Sequence, residues 1–320
     1  MVIPGWQKAE SPFHAGEQAI QAKMGDREKM ESYGRRAIRE FLPEQHQQFY
    51  TQLSYVLAGS IDSDQNLWVS ILVGKPGFIS TPSDRTFHIN AQPLYGDPLT
   101  KNLATGIDIG FLGIELHTRR RNRINGVVSK LTANKIEVQV RQTFGNCPKY
   151  IQARQFNLQD FDPTESKPIQ KITTLAARDR EMIAAADTFF IATANQDESA
   201  GAARGIDVSH RGGQPGFVHI NGSSLTVPDF AGNGYFNTFG NIEVNPRAGL
   251  LFIDFENGTL LYLTGSAEVI WDGDPEIAAY AGAERLFRFQ LTQGIRVEGS
   301  LPLSWSVPEY SRFLESTGPW

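Results

Sequence analysis

The chain has 320 residues, 20% of them charged and 40% aliphatic or aromatic, which gives a globular protein room for one large core or two of ordinary size. Its formal net charge of −5 excludes a global positive field for nucleic acid or an anionic membrane. The only cysteine, Cys147, excludes an intrachain disulfide framework and a cysteine-cluster zinc site. No stretch approaches the roughly 18 apolar residues of a membrane span, and the first residues lack a cationic start before an apolar run. The expectation is a soluble, cytoplasmic protein with no membrane or nucleic-acid partner.

In chain order, residues 16–41 have an amphipathic helical pattern interrupted near Gly25, and PEQHQQFYTQL (43–53) follows with Pro43 suited to a first helical position. Short apolar segments come next: VLAGS (56–60), FLGIEL (111–116) and KLTANKIEVQVRQTF (130–144), the last alternating around an Ala133-Asn134 turn. Residues 151–172 carry the polar and proline residues of a linker, and TTLAARDREMIAAA (173–186) reads as a helix from a Thr cap. Strands resume with FIATA (190–194), then FVHI and SSLTV around Asn221-Gly222, a pair suited to a type I′ turn. GLLFIDF and TLLYLTG flank Glu256-Asn257-Gly258, and Asp274-Pro275-Glu276 opens a short helix. Strands at this spacing predict a sandwich or closed barrel.

The second half echoes the first. Gly213, Pro215, Gly216 and Phe217 lie 139 positions after Gly74, Pro76, Gly77 and Phe78 (213 − 74 = 139). At the same shift Ser70 meets Ser209, Asn102 meets Asn241, Gly110 meets Gly249, Leu112 meets Leu251, Ile114 meets Ile253 and Gly126 meets Gly265. Upstream, VLAGS pairs with FIATA at a shift of 134 (190 − 56), which leaves five extra residues between Asn195 and Gly205. Self-similarity of this kind predicts an internal duplication. Gly126 and Gly265, inside strand patterns at matching places, predict a bulge or bend.

VSHRGGQPGFV (208–218), VPDFAGNGYFNTFGNIEVNPRAGLLFIDF (227–255) and LLYLTGSAEV (260–269) resemble the flavin-binding split-barrel family typified by pyridoxamine 5′-phosphate oxidase. SPFHAGE (11–17), LGIELHTRRRNRINGVV (112–128) and FGNCPKYIQ (144–152) resemble the N-terminal half of its tandem members. The resemblance implies a mainly β (α+β) fold of two tandem antiparallel split β-barrels with peripheral helices, forming an intrachain pseudo-dimer. Its divisions are a helical arm (1–42), a first barrel (43–150), a linker and helix (151–186) and a second barrel (187–320). It also implies FMN between the barrels, with a small-molecule substrate or electron donor, in a pseudo-dimeric monomer or a homodimer.

Carried over residue by residue, Ser209, His210 and Arg211 match the strand that lines ribityl and phosphate, with Arg211 suited to grip a phosphate. The following loop offers Asp229, Asn233, Asn237, Thr238 and Asn241. Asn237 and Thr238 stand, both neutral, where oxidase members carry an Arg-Lys pair. Arg119, Arg121 and Arg123 share one face of a strand, and Arg121 and Arg123 are candidates for an anion on FMN or substrate. The plainer alternatives are that Arg211 caps a turn, His210 packs on the barrel, the asparagines serve turns, and the arginines pair with Glu115 or Glu137. Cys147 precedes a proline that can open a helix, where a thiol can be activated, but a lone cysteine is more often inert packing. His88, Asn90 and Lys101 would face a site kept by the first copy. No spacing supports a metal site, and no catalytic acid or base stands out. The functional expectation is a flavin-dependent oxidoreductase, against a non-enzymatic flavin or haem carrier or a deazaflavin user on the same fold.

Overall fold

Helix α1 (Ala15–Lys23) starts at a reciprocal cap: the His14 ring accepts from the Gly16 amide at 3.2 Å and the Glu17 carboxyl from the His14 amide at 2.9 Å. Gly25, with φ +75°, breaks the run before α2 (Arg27–Ala37). Pro43 caps α3 (Glu44–Gln52) from just outside it, one position earlier than predicted. The computed structural model describes residues 4–271, 273 and 275–318.

Strands β1 (Tyr55–Ile61), β2 (Leu67–Val73), β3 (Ile79–Ser83) and β4 (Thr86–Ile89) precede α4 (Leu99–Asn102), then β5 (Asp108–Glu115), β6 (Arg120–Thr132) and β7 (Lys135–Gly145). Short strands β8 (Phe156–Leu158) and β9 (Ile169–Ile172) lie in the connection, followed by α5 (Ala177–Ala185). The second set is β10 (Thr188–Asn195), β11 (Gly205–Gly212), β12 (His219–Asn221), β13 (Ser224–Asp229), α6 (Asn237–Val244), β14 (Arg247–Ile253), β15 (Leu260–Ile270) and β16 (Arg285–Val297), before β17 (Leu303–Trp305).

Among the described residues the fold is mainly β, in three antiparallel sheets. The first runs β2-β1-β5-β6-β7-β4-β3 and the second β11-β10-β14-β15-β16-β13-β12, the same order strand for strand. Strand β9 adds to β16, and β8 pairs with β17. Neither long ladder closes on itself, so the closed barrel expected from strand spacing is not what the strands form.

Registers match as well as order. Leu57 pairs with Ile71 and Leu112, and Phe190 with His210 and Leu251. The equivalent of Leu57 is therefore Phe190, a shift of 133 (190 − 57), not 134, and the second set carries six extra residues, not five. A one-residue slip exchanges the two faces of a strand, and here the faces have different partners. Val56 and Ala58 pack inside the first sheet, Phe189 and Ile191 inside the second, whereas Leu57 and Phe190 meet in a core between them. The bulges also correspond, at Asn125/Gly126 and Thr264/Gly265. A Cβ on Gly126 would meet the Gln139 carbonyl at 2.5 Å, and one on Gly265 the Gln290 carbonyl at 2.0 Å.

The contact between the sheets is reciprocal. Gly110 faces the Ile206 carbonyl, where a Cβ would sit 1.8 Å from the oxygen; Gly249 faces the Leu67 carbonyl, at 2.4 Å. Both pairs are related by the shift of 139, so each half presents the same patch to the other, as in a two-fold interface.

Three local expectations change. Helix α5 begins at Ala177, with the Asp179 carboxylate accepting from the Ala176 amide at 2.9 Å, and no Thr caps it. The hairpin pairs Asn221 with Ser224, so its turn is Gly222-Ser223, one residue later than predicted. Pro275–Ala279 forms a short 3-10 helix, while the Asp274 expected to open it lies outside the described residues.

Candidate functional site

A cavity of about 270 Å³ opens at the junction of the two sheets. The first sheet contributes Arg121 and Arg123 from β6, followed by Cys147, Lys149 and Tyr150 beyond β7. The second contributes Ser209, His210 and Arg211 from β11, Asp229 from the end of β13, and Asn233, Asn237 and Thr238 from the loop into α6. Met24 and Asp26 of the arm complete the wall. Nine of the ten positions singled out in the sequence thus border one cavity; Asn241 lies beneath it, 1% exposed.

Arg123 is 3% exposed and its charge is met: Nη1 lies 3.2 Å from Asp207, Nη2 donates to Ser209 at 2.5 Å, and Nε donates to the Val208 carbonyl at 3.1 Å. Asp207 also accepts from Asn125 at 3.0 Å and from Asn241 at 2.8 Å. Ser209 continues to Thr238 at 3.0 Å. The Asn237 amide donates to Glu17, which α1 delivers because Gly16 and Gly240 let the two helices touch. Burial and the nearby Asp207 push the Glu17 carboxyl well above the usual range.

On the opposite wall Arg211 bonds Asp229 and lies 4.8 Å over the Phe239 ring. Arg285, directly across the ladder from Asp229, approaches the same carboxylate at 3.5 Å and also bonds Glu284. Arg211 is therefore already paired, and so is Arg285.

Arg121 is placed differently. Its Nε donates to the Cys147 carbonyl at 2.7 Å and its Nη1 to the His210 carbonyl at 3.3 Å. No carboxylate lies within 4.0 Å of it among the described residues. Burial, with Arg123 and Arg211 close by, pushes its pKa down to about 9. The His210 ring packs edge-on to Phe190 at 5.7 Å, and burial plus Arg121, Arg211 and Arg154 hold it neutral. Asn233 accepts from the Tyr235 amide at 3.2 Å, which is turn chemistry.

Other expectations are corrected. Arg119 is not on the strand face: it takes φ +58° before β6 and reaches the Ile151 carbonyl and Glu309. Glu115 bonds Gln52 and Thr118, and Glu137 pairs with Lys135, so neither neutralises the arginines. No helix follows Cys147, a free, half-buried thiol whose carbonyl accepts from Arg121.

The groove related to this cavity by the repeat is filled. Tyr262 stands at the place of Arg123, Leu260 at that of Arg121 and Ser70 at that of Ser209 (262 − 123 = 139). The Tyr262 hydroxyl donates to Asp97 at 3.1 Å and Ser70 donates to the same carboxyl at 2.5 Å. Leu94, Leu303 and Trp305 pack around them. His88, Asn90 and Lys101, predicted to face such a site, do not reach this cluster: His88 lies on β4 beside Glu137 and Lys101 is exposed.

No protein-family model matches the sequence, and no curated protein matches it significantly. Among solved structures it is similar to a FAD-binding protein from Mesorhizobium loti, at 12% identity over 40% of this chain and 97% of that one, with a TM-score of 0.28. It is also similar to HutZ, the heme storage protein from Vibrio cholerae, at 18% identity over 38% and 93%, with a TM-score of 0.28. A third is General Stress Protein 26 from Bacillus anthracis, at 12% identity over 42% and 94%, with a TM-score of 0.22. Overlaps this weak carry no argument about what this chain binds.

Proposed function

We propose that the chain is an FMN-binding flavoprotein, an oxidoreductase of the pyridoxamine 5′-phosphate oxidase-like class, built as two tandem split barrels that form a pseudo-dimer within one chain. The observation that carries this is the convergence of nine sequence-selected positions on one cavity walled by both sheets. Its volume lies just under the ~300–1,000 Å³ usual for small-molecule sites, and it combines aromatic walls with a few polar groups, as such sites do. Tyr150 and Phe236, both half-buried on the wall, offer aromatic surface for a flat ring, Ser209 and Thr238 hydroxyls for a polyol chain, and Arg121 a cation without a carboxylate. FMN would supply the redox chemistry, while these residues bind and orient it.

One observation favours a carrier that performs no oxidase reaction. Asn237 and Thr238 spend their side chains on Glu17 and Ser209 and add no charge where oxidase members have two cations. Visible absorption of the purified protein followed by FMN titration tests the binding. The two-band spectrum of an oxidised flavin, or saturable uptake at one FMN per chain, is expected. A protein that ignores FMN would sink the flavin reading, and a Soret band would replace it with haem. Oxidation of a reduced nicotinamide by the FMN-loaded protein separates enzyme from carrier.

A further inference from the structure

The cations around the cavity are unequal. Arg123 is matched by Asp207, while Arg211 and Arg285 share Asp229, with Glu284 on Arg285 as well. A phosphate brought to Arg211 would have to displace or sit beside the Asp229 carboxylate, a like charge on the same guanidinium. Arg121 carries no such conflict. Two backbone carbonyls fix its guanidinium, leaving Nη2 without a protein partner among the described residues, on a side chain that borders the cavity. Arg123 and Arg211 beside it make it a half-buried cation among cations, which an anionic ligand would relieve. Lys149, also on the cavity wall, has the Phe313 ring at 5.3 Å and no carboxylate within 4.0 Å among the described residues.

We propose that Arg121, assisted by Lys149, forms the subsite for a phosphate monoester, so that the ligand's anion is held by the first sheet's side of the junction and not by Arg211. The subsite deepens the flavin reading and rests on it for the ligand's identity; the anion chemistry itself does not. Guanidinium matches a phosphate with two parallel hydrogen bonds, and charge-assisted bonds of this kind are the strong ones.

The test uses the full chain with three probes: inorganic phosphate by thermal shift, and FMN and riboflavin by fluorescence titration. Phosphate is expected to raise the melting temperature saturably, where chloride at equal ionic strength does not. FMN is expected to bind about 10- to 100-fold more tightly than riboflavin. Arg121→Gln should abolish the phosphate shift and close most of that gap while leaving riboflavin affinity unchanged, and Lys149→Gln should close less of it. An Arg121→Gln protein that keeps the phosphate shift and the full FMN preference overturns the subsite. If that variant does not fold, Arg121→Lys, which keeps the charge without the fork, should narrow the gap about threefold; an unchanged gap again overturns it. Wild-type protein that ignores both flavins yet shows an Arg121-dependent phosphate shift leaves the subsite standing and removes the flavin. Equal binding of FMN and riboflavin with no phosphate shift does the reverse.

Discussion

The two grooves at the sheet junction occupy equivalent places and have opposite contents. On one side Arg121 and Arg123 border an open cavity, and on the other Leu260 and Tyr262 hold the same positions inside a core. Some of the scaffold is common to both: Asn241 donates to Thr193 at 3.1 Å, and its equivalent Asn102 donates to Ser60 at 3.0 Å. The added carboxylates differ. Asp207 on the open side faces a permanent cation, whereas Asp97 on the filled side faces hydroxyls and backbone amides. One groove thus keeps charge by pairing it, and the other excludes water and tolerates a carboxyl only against neutral donors.

That contrast predicts unequal responses to removing each carboxyl. Asp207→Ala strips the acceptor from Arg123, Asn125 and Asn241 and leaves a buried cation beside two others, a loss of about 3–5 kcal/mol in urea unfolding. A loss below about 1 kcal/mol would mean that Arg123 finds water or another anion. Gly110→Ala pushes a methyl into the Ile206 carbonyl and should cost about 3 kcal/mol, with Gly249→Ala following suit because the contact is reciprocal. Sensitivity at only one of the two glycines would break the equivalence.

On the filled side burial pushes the Asp97 carboxyl up to about 6. The folded protein keeps a proton there that the unfolded chain releases near pH ~4. This site's contribution is therefore fully favourable below about pH 4 and is lost as pH rises to about 6, by on the order of 3 kcal/mol. Asp97→Asn, whose amide can still serve Ser70, Leu99 and Tyr262, should flatten that slope and stabilise the protein at neutral pH. An unchanged slope in denaturation curves at pH 4, 5, 6 and 7 would remove Asp97 as its source. Smallest of all, Glu309→Ala at the exposed Arg119 pair should cost under about 1 kcal/mol in the same assay.

The sequence disclosed the repeat where strands carry glycines at fixed places, because close backbone approach at Gly110, Gly249, Gly126 and Gly265 admits little else. It misplaced β1 against β10 by one residue for a physical reason. Both faces of VLAGS and FIATA are buried, so no polar–apolar alternation marks which residue points where. The Arg121/Arg123 wall was visible as concentrated charge. Its partner Asp207 was missed, although a carboxylate between Ile206 and Val208 in a fully buried stretch is itself a signal that a cation lies opposite. Asp97, Lys149 and Arg285 had no such local mark, since their neighbours are set by chain segments far away.

The hydrogen bond from Asn237 to Glu17 spans 220 positions. Contacts of that separation raise the entropy of loop closure and slow folding. During synthesis α1 must wait, with the Glu17 carboxyl held only by the His14 amide, until α6 has been made. The wall that Met24 and Asp26 complete is therefore assembled late, and competence to bind should appear only after both sheets have formed. Refolding followed by ligand uptake would lag behind recovery of β-structure, with the delay set by docking of the arm.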